Sequence, residues 1–167
     1  MSVETRRFGP SDWEAYREIR LEALAREPHV FATGWHQDAA LTPEQWRERL
    51  DNPDSGTFAL IDEGKPVGLA TWFLPPQANA HHRGMIVGVY LRQSHRGRGL
   101  SRTLLQAVLA EAETRSDDLA LNVLAENAPA IGLYESLGFR IVATVPGALK
   151  HAGRYYDEHL MLRPGPA

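Results

Sequence analysis

The sequence predicts an α/β (α+β) fold: a mixed central sheet of about seven strands flanked by about four helices, in the order β-α-α-β-β-β-α-β-α-β-β. Three observations carry that prediction. Leu100, Leu104, Val108 and Ala112 recur every fourth residue, and Leu105 and Leu109 widen the stripe, as on one face of an amphipathic helix. Runs rich in Val, Ile, Leu and Tyr stand on either side of it, at 83–91 and 119–124, the pattern of a strand–helix–strand unit with parallel strands. No repeat, low-complexity tract or linker interrupts the 167 residues, so 1–167 is expected to be a single domain around one core.

The elements follow in order. Val3 to Phe8 has strand-like composition. Ser11 or Asp12 caps the next helix, which carries Trp13, Ile19, Leu21 and Leu24 and ends before Pro28. His29 to Ala40, with Phe31, Trp35 and His36, reads as less regular. Thr42-Pro43-Glu44-Gln45 starts a helix with proline just inside the cap, running through Trp46 and Leu50 to about Asp51. Thr57 to Ile61 and Pro66 to Leu74 form a hairpin around Asp62-Glu63-Gly64-Lys65. Pro75-Pro76 ends it. The strand Arg83 to Leu91 contains Gly88, and a glycine inside such a strand marks a bulge or a close backbone approach. Asn127 caps a short helix that carries Tyr134 and ends at Gly138. Phe139 to Val145 and Arg154 to Leu162 close the sheet.

Composition narrows the chemistry. Hydrophobic residues make up 43% and charged residues 23%, as in ordinary globular chains, so disorder is not expected. There is no cysteine, which removes disulfides, cysteine-ligated zinc, iron–sulfur clusters and any acyl-cysteine intermediate. A formal charge of −3 argues against non-specific nucleic-acid binding. The start, Met1-Ser2-Val3-Glu4-Thr5, has the features of no secretory signal, and the longest apolar run, near Met85 to Leu91, is too short to cross a bilayer. A cytoplasmic protein without a membrane partner is expected. His81-His82 does not suit a metal, because adjacent residues on an extended chain point apart, so no metal is expected.

The most informative segment joins the strand to the striped helix: Val89-Tyr90-Leu91-Arg92-Gln93-Ser94-His95-Arg96-Gly97-Arg98-Gly99-Leu100-Ser101-Arg102. Backbone N–H groups at a helix N-terminus lack partners and sit at the positive end of the helix dipole, so such a turn binds phosphate. Gly97 and Gly99 let the backbone approach an anion, and Arg96, Arg98 and Arg102 add charge. A P-loop would need Lys followed by Ser or Thr after the glycines, where Leu100-Ser101-Arg102 stands. A dinucleotide fingerprint would need a third glycine or alanine after two intervening residues. Neither fits, and no Gly-x-Ser-x-Gly nucleophile elbow occurs anywhere.

Arg96-Gly97-Arg98-Gly99-Leu100-Ser101 resembles the phosphate loop of the GNAT family of N-acetyltransferases, Arg/Gln-x-x-Gly-x-Gly/Ala, except that Ser101 replaces the final small residue. Asn127-Ala128-Pro129-Ala130, Tyr134 and Leu137-Gly138-Phe139, about thirty residues further on, resemble the family's second signature, and the strand order agrees from about Val3 to Leu162. The resemblance implies a GNAT-like fold and acetyl-CoA as donor, moved directly onto a primary amine of a small molecule or a protein. It further implies that backbone groups of Val89 and Leu91 and the Asn127 side chain hold the pantetheine arm. Arg96, Gly97, Arg98, Gly99, Leu100, Ser101 and Arg102 would surround the pyrophosphate, with the Tyr134 hydroxyl at the thioester sulfur. Trp35, His36 and Tyr156 would contact the acceptor. Homodimers are common among proteins of this resemblance.

That chemistry is coherent by itself. A neutral amine attacks a thioester carbonyl, and the departing thiolate should be protonated. A phenol of ordinary pKa about 10 can donate a hydrogen bond or a proton to it, which makes Tyr134 the expected acid. The stretch Met85 to Val89 carries no carboxylate to serve as base, which leaves Glu22, His82, Asp157 and Glu158 as candidates. The same residues also suit an alternative, a non-catalytic acyl-CoA-binding module or sensor.

Overall fold

In the computed structural model, which describes residues 2–166, the chain runs β1 (Glu4–Arg7), α1 (Trp13–Arg26), α2 (Trp35–Ala39), α3 (Pro43–Leu50), β2 (Ser55–Asp62), β3 (Lys65–Phe73), β4 (Arg83–Leu91), α4 (Leu100–Ala112), β5 (Asp118–Leu124), α5 (Ala128–Ser136), β6 (Arg140–His151) and β7 (Arg154–Arg163). The seven strands form one sheet in the order β1-β2-β3-β4-β5-β7-β6. Every neighbouring pair is antiparallel except β4 and β5, which are parallel and joined through α4. Among the described residues no helix is long and apolar enough to cross a membrane.

The sheet separates two apolar clusters. On one face Leu104, Leu105, Val108, Leu109 and Ala112 of α4 pack with Trp72, Ile86, Leu121, Tyr134 and Met161. These α4 residues are the stripe anticipated from the sequence. On the other face Tyr16, Ile19 and Ala23 of α1 and Trp46 and Leu50 of α3 pack with Phe8, Leu69 and Tyr90. Each large side chain enclosed in this way contributes about 1.5–3 kcal/mol.

Strands β4 and β5 pair only from Arg83↔Asp118 to Ile86↔Leu121. Arg83 clamps Asp118 at the start of this pairing with bonds of 2.8 and 2.7 Å, which hold the Asp118 carboxyl below its ordinary range. Beyond Ile86 the two strands part. On the other side of β4, Leu69 faces Tyr90 and Thr71 faces Val87, so two steps along β3 match three along β4. Gly88 lies in this bulge at φ +63°, a left-handed conformation that glycine adopts without a side-chain penalty.

Two local expectations change. The segment expected to be less regular, His29 to Ala40, contains the short helix α2, so five α-helices flank the sheet where about four were expected. The Gln37 side chain bonds the Gly34 amide at 3.0 Å, and Asp38 is buried beneath the helix between Arg20 and Arg49. A helix of five residues shows no periodicity, so tertiary contacts make it. The last hairpin is also longer: β6 continues past Val145 to His151. Pro146 and Gly147 are absorbed as a bulge between Val145 and Leu149, where the Gly147 amide bonds Asp157 at 2.8 Å.

Helix α4 is pinned to the sheet by Glu111, which accepts from Trp72 Nε1 at 2.6 Å and Arg7 Nε at 2.7 Å. A Cβ on Gly56 would collide with both Glu111 and Trp72. Gly56→Ala is therefore expected to lower stability by about 1–3 kcal/mol, read as a fall in the chemical denaturation midpoint.

Asp38 yields a second prediction. Burial alone would raise its carboxyl, but hydrogen bonds from Arg49 and Arg20 outweigh it and hold the group below its ordinary value. A depressed folded pKa contributes stability that is complete above the unfolded value, about 4, and is lost as pH falls through the folded one. Asp38→Asn should cost about 2 kcal/mol at neutral pH and flatten the loss of melting temperature on acidification below pH 4.

Candidate functional site

The parting of β4 and β5 opens a cleft of about 710 Å³. Its walls are Ile86–Leu91 of β4, Leu121–Leu124 of β5, the start of α4, Asn127, Pro129, Ala130, Leu133 and Tyr134 around α5, and Glu27, His29, Val30 and Phe31 after α1. Past Ile86, the side of β4 that faces β5 has no strand partner. It therefore offers backbone donors and acceptors to whatever enters.

The loop after β4 continues this surface. Gly97 and Gly99 have φ of +75° and +73°, and a Cβ on either would meet open space. Gly99 caps α4 in the left-handed conformation, and its carbonyl accepts from the Thr103 amide. The amides from Gly97 to Arg102 find no backbone carbonyl among the described residues. Consecutive free N–H groups at a helix start form an anion cradle.

The arginines divide the work differently from the expectation. Arg96 lines the cleft, but its Nε donates to the Leu91 carbonyl and its Nη2 to Glu27, both at 2.8 Å. It braces the loop against β4 and α1. Arg102 lines the cleft and reaches Ser136, whereas Arg98 is exposed and lies off the cleft wall. Leu100 and Ser101 line it as well.

Asn127 caps α5 by accepting from the Ala130 amide at 3.3 Å, and its side chain lies on the cleft wall. Tyr134 is 7% exposed, packs edge-on against Phe139, and also borders the cleft. Burial pushes its phenol up to about 12. The group is thus a neutral donor throughout the neutral and mildly alkaline range.

Val89, Leu91, Arg96, Gly97, Gly99, Leu100, Ser101, Arg102, Asn127 and Tyr134 are therefore gathered in one cleft. Trp35 and His36 are not. They sit edge to face on α2, with Trp35 42% exposed, while the neighbouring His29, Val30 and Phe31 form that wall. Tyr156 approaches only indirectly, with its ring 5.3 Å from that of His29. No motif marks His29 or Phe31, because they are placed by the turn after α1.

The carboxylates and histidine weighed as bases are not on the cleft wall. Glu22 is held by Arg92 and Tyr90, and chiefly the Arg92 bonds depress its pKa. Asp157 is committed to Gly147, His82 is exposed before β4, and Glu158 is raised by burial. Among the described residues no three or more His, Cys, Asp or Glu side chains cluster as metal ligands would.

Comparison with known proteins agrees with this geometry. The model of the acetyltransferase (GNAT) family matches residues 13–139. The L-amino acid N-acetyltransferase AaaT of Escherichia coli is 27% identical over 155 residues, covering 91% of each chain. The structure of a ribosomal-protein-alanine N-acetyltransferase from Brucella melitensis superposes with a TM-score of 0.79 at 25% identity, covering 96% of this chain and 99% of that one. That of yncA from Salmonella typhimurium, solved with its cofactor acetyl-CoA, has a TM-score of 0.83 at 23% identity and covers 100% and 96%.

The cradle yields a direct prediction. Gly99→Val places a branched side chain at φ +73° over the free amides. Calorimetric titration should show coenzyme A affinity reduced by at least about tenfold, the scale of one or two lost charge-assisted hydrogen bonds. Unchanged affinity would place the phosphates elsewhere.

Proposed function

The chain belongs to the acetyltransferase (GNAT) family, and from that premise we propose that it transfers acetyl from acetyl-CoA directly to a primary amine. One observation carries the reading: the cleft joins an anion cradle, an unpaired strand edge and a buried phenol in one continuous wall. These match the three parts of the donor in sequence. The pyrophosphate meets the amides from Gly97 to Arg102, and the pantetheine amides pair with β4 at Val89 and Leu91 as an added strand would. The thioester then lies between β4 and Tyr134.

The amine nitrogen attacks the carbonyl carbon, a C–N bond forms, and the collapsing intermediate breaks the C–S bond. The products are an amide and coenzyme A, whose thiolate takes up one proton while the amine gives one up. Tyr134 acts on the leaving sulfur. Complete proton transfer from a phenol near 12 to a thiolate whose acid is near 8.5 runs uphill, so its contribution is a hydrogen bond to the developing charge. No acyl-enzyme is needed, in keeping with a chain that has no cysteine.

The test is calorimetric titration with acetyl-CoA alongside thiol release across a panel of amines. Binding with amine-dependent release supports transfer, and release without an amide product contradicts it. Tyr134→Phe should lower kcat about 10–100-fold, the value of one hydrogen bond to a charge, while acetyl-CoA affinity holds. Unchanged kcat across the pH range would remove Tyr134 from the chemistry.

A further inference from the structure

Arg20 sits on α1 with its side chain 13% exposed, yet it gives the protein only its Nε, which donates to Asp38 Oδ2 at 2.9 Å. Asp38 is also shared with Arg49, which reaches it through both terminal nitrogens at 3.2 and 3.0 Å. Two guanidinium groups and one carboxylate leave a net positive charge. Both terminal nitrogens of Arg20 lack a protein acceptor among the described residues. Among the described residues the one fully enclosed side-chain polar atom without a partner is Trp46 Nε1, so those nitrogens retain an opening.

Arg20 is not among the residues of the cleft wall, but one of its terminal nitrogens lies close to one that is. Arg20 Nη1 stands 3.5 Å from where a Cβ of Gly88 would be, at the bulge where β4 leaves β5. The guanidinium lies over the ring of Phe31, 5.2 Å from its centroid, and Phe31 and Gly88 both line the cleft. Asp38 and Phe31 thus fix the plane of the guanidinium, with Nη1 at the bulge. A fixed guanidinium edge matches a carboxylate, which accepts two parallel hydrogen bonds.

We propose that Arg20 anchors the α-carboxylate of the acceptor, which makes the acceptor a free amino acid rather than a protein N-terminus. The proposal rests on the acetyltransferase reading. In a free α-amino acid the amine is separated from the carboxyl carbon by a single carbon, so a carboxylate held at Arg20 keeps the nitrogen next to Gly88, near the proposed thioester. A peptide N-terminus carries a neutral amide there and leaves the guanidinium unpaired. A side chain at Gly88 would touch Nη1, in the space this carboxylate would occupy.

The experiment compares kcat/KM for matched pairs of L-amino acids and their carboxamides. The amides have the less basic amine and so react better intrinsically, which makes a preference for the acids informative. The protein should prefer the acids about 100-fold, the worth of a bidentate charge-assisted pair. Arg20→Gln should erase that preference through a raised KM for the acids, leaving the amides and the acetyl-CoA KM unchanged. Arg20→Lys, which keeps the charge without the fork, should retain part of it and serves if the glutamine variant does not fold. Equal losses on acids and amides would overturn the proposal, as would efficient use of amides or peptide N-termini by the unaltered protein. Failure to bind acetyl-CoA in a separate titration would instead overturn the transferase reading.

Discussion

The separation of β4 from β5 after Ile86 is the constraint from which the rest of the site follows. A parallel pair would ordinarily run the full length of both strands, satisfying each backbone group in turn. Here the bulge at Gly88 changes the register against β3 just beyond the point where β4 stops pairing with β5. Unpaired backbone is costly in a dry interior, but this edge faces an open cleft and can be hydrated until a ligand replaces the water. The anion cradle follows in the loop after β4, so cradle and open edge are aligned by covalent continuity.

Holding that opening rigid falls to polar contacts around it. Glu111 fixes α4 through Trp72 and Arg7, which sets the direction of the free amides. Arg96 ties the loop back to Leu91 and across to Glu27, and Glu22 collects Arg92 and Tyr90 beneath the same strand. Arginines that in the sequence looked like a halo of charge around a phosphate thus serve partly as struts. Their effect is to lower the reorganisation needed when the donor enters.

What could be read from the sequence was what is local in the chain. The α4 stripe, the glycine pair, the Asn127 cap and the glycine within β4 each announce themselves within a few residues, and the structure carries all four. Helix α2 could not be read, since its five residues are held by Gly34 and by Asp38 reaching across to other helices. The same holds for this side of the cleft, where the turn after α1, and not Trp35 or His36, places His29 and Phe31 on the wall. Arg20 carries no motif at all. The role proposed for it rests on Asp38, eighteen residues later, and on Gly88 of β4. The β6 extension was hidden by Pro146, which ends most strands but here marks a bulge.

That bulge has a consequence for the sheet's outer border. Strand β6 is the last in the sheet and leaves Ile141, Val142 and Val145 exposed, a combination that invites another chain to add itself edge to edge. Pro146 offers no N–H, and the register slips between Ile141 and Ala143 and again between Val145 and Leu149, so the free border is broken into short runs. A continuous ladder with another chain would have to cross these breaks. A residue pair that looks like a defect in the strand is therefore a feature that blunts the edge.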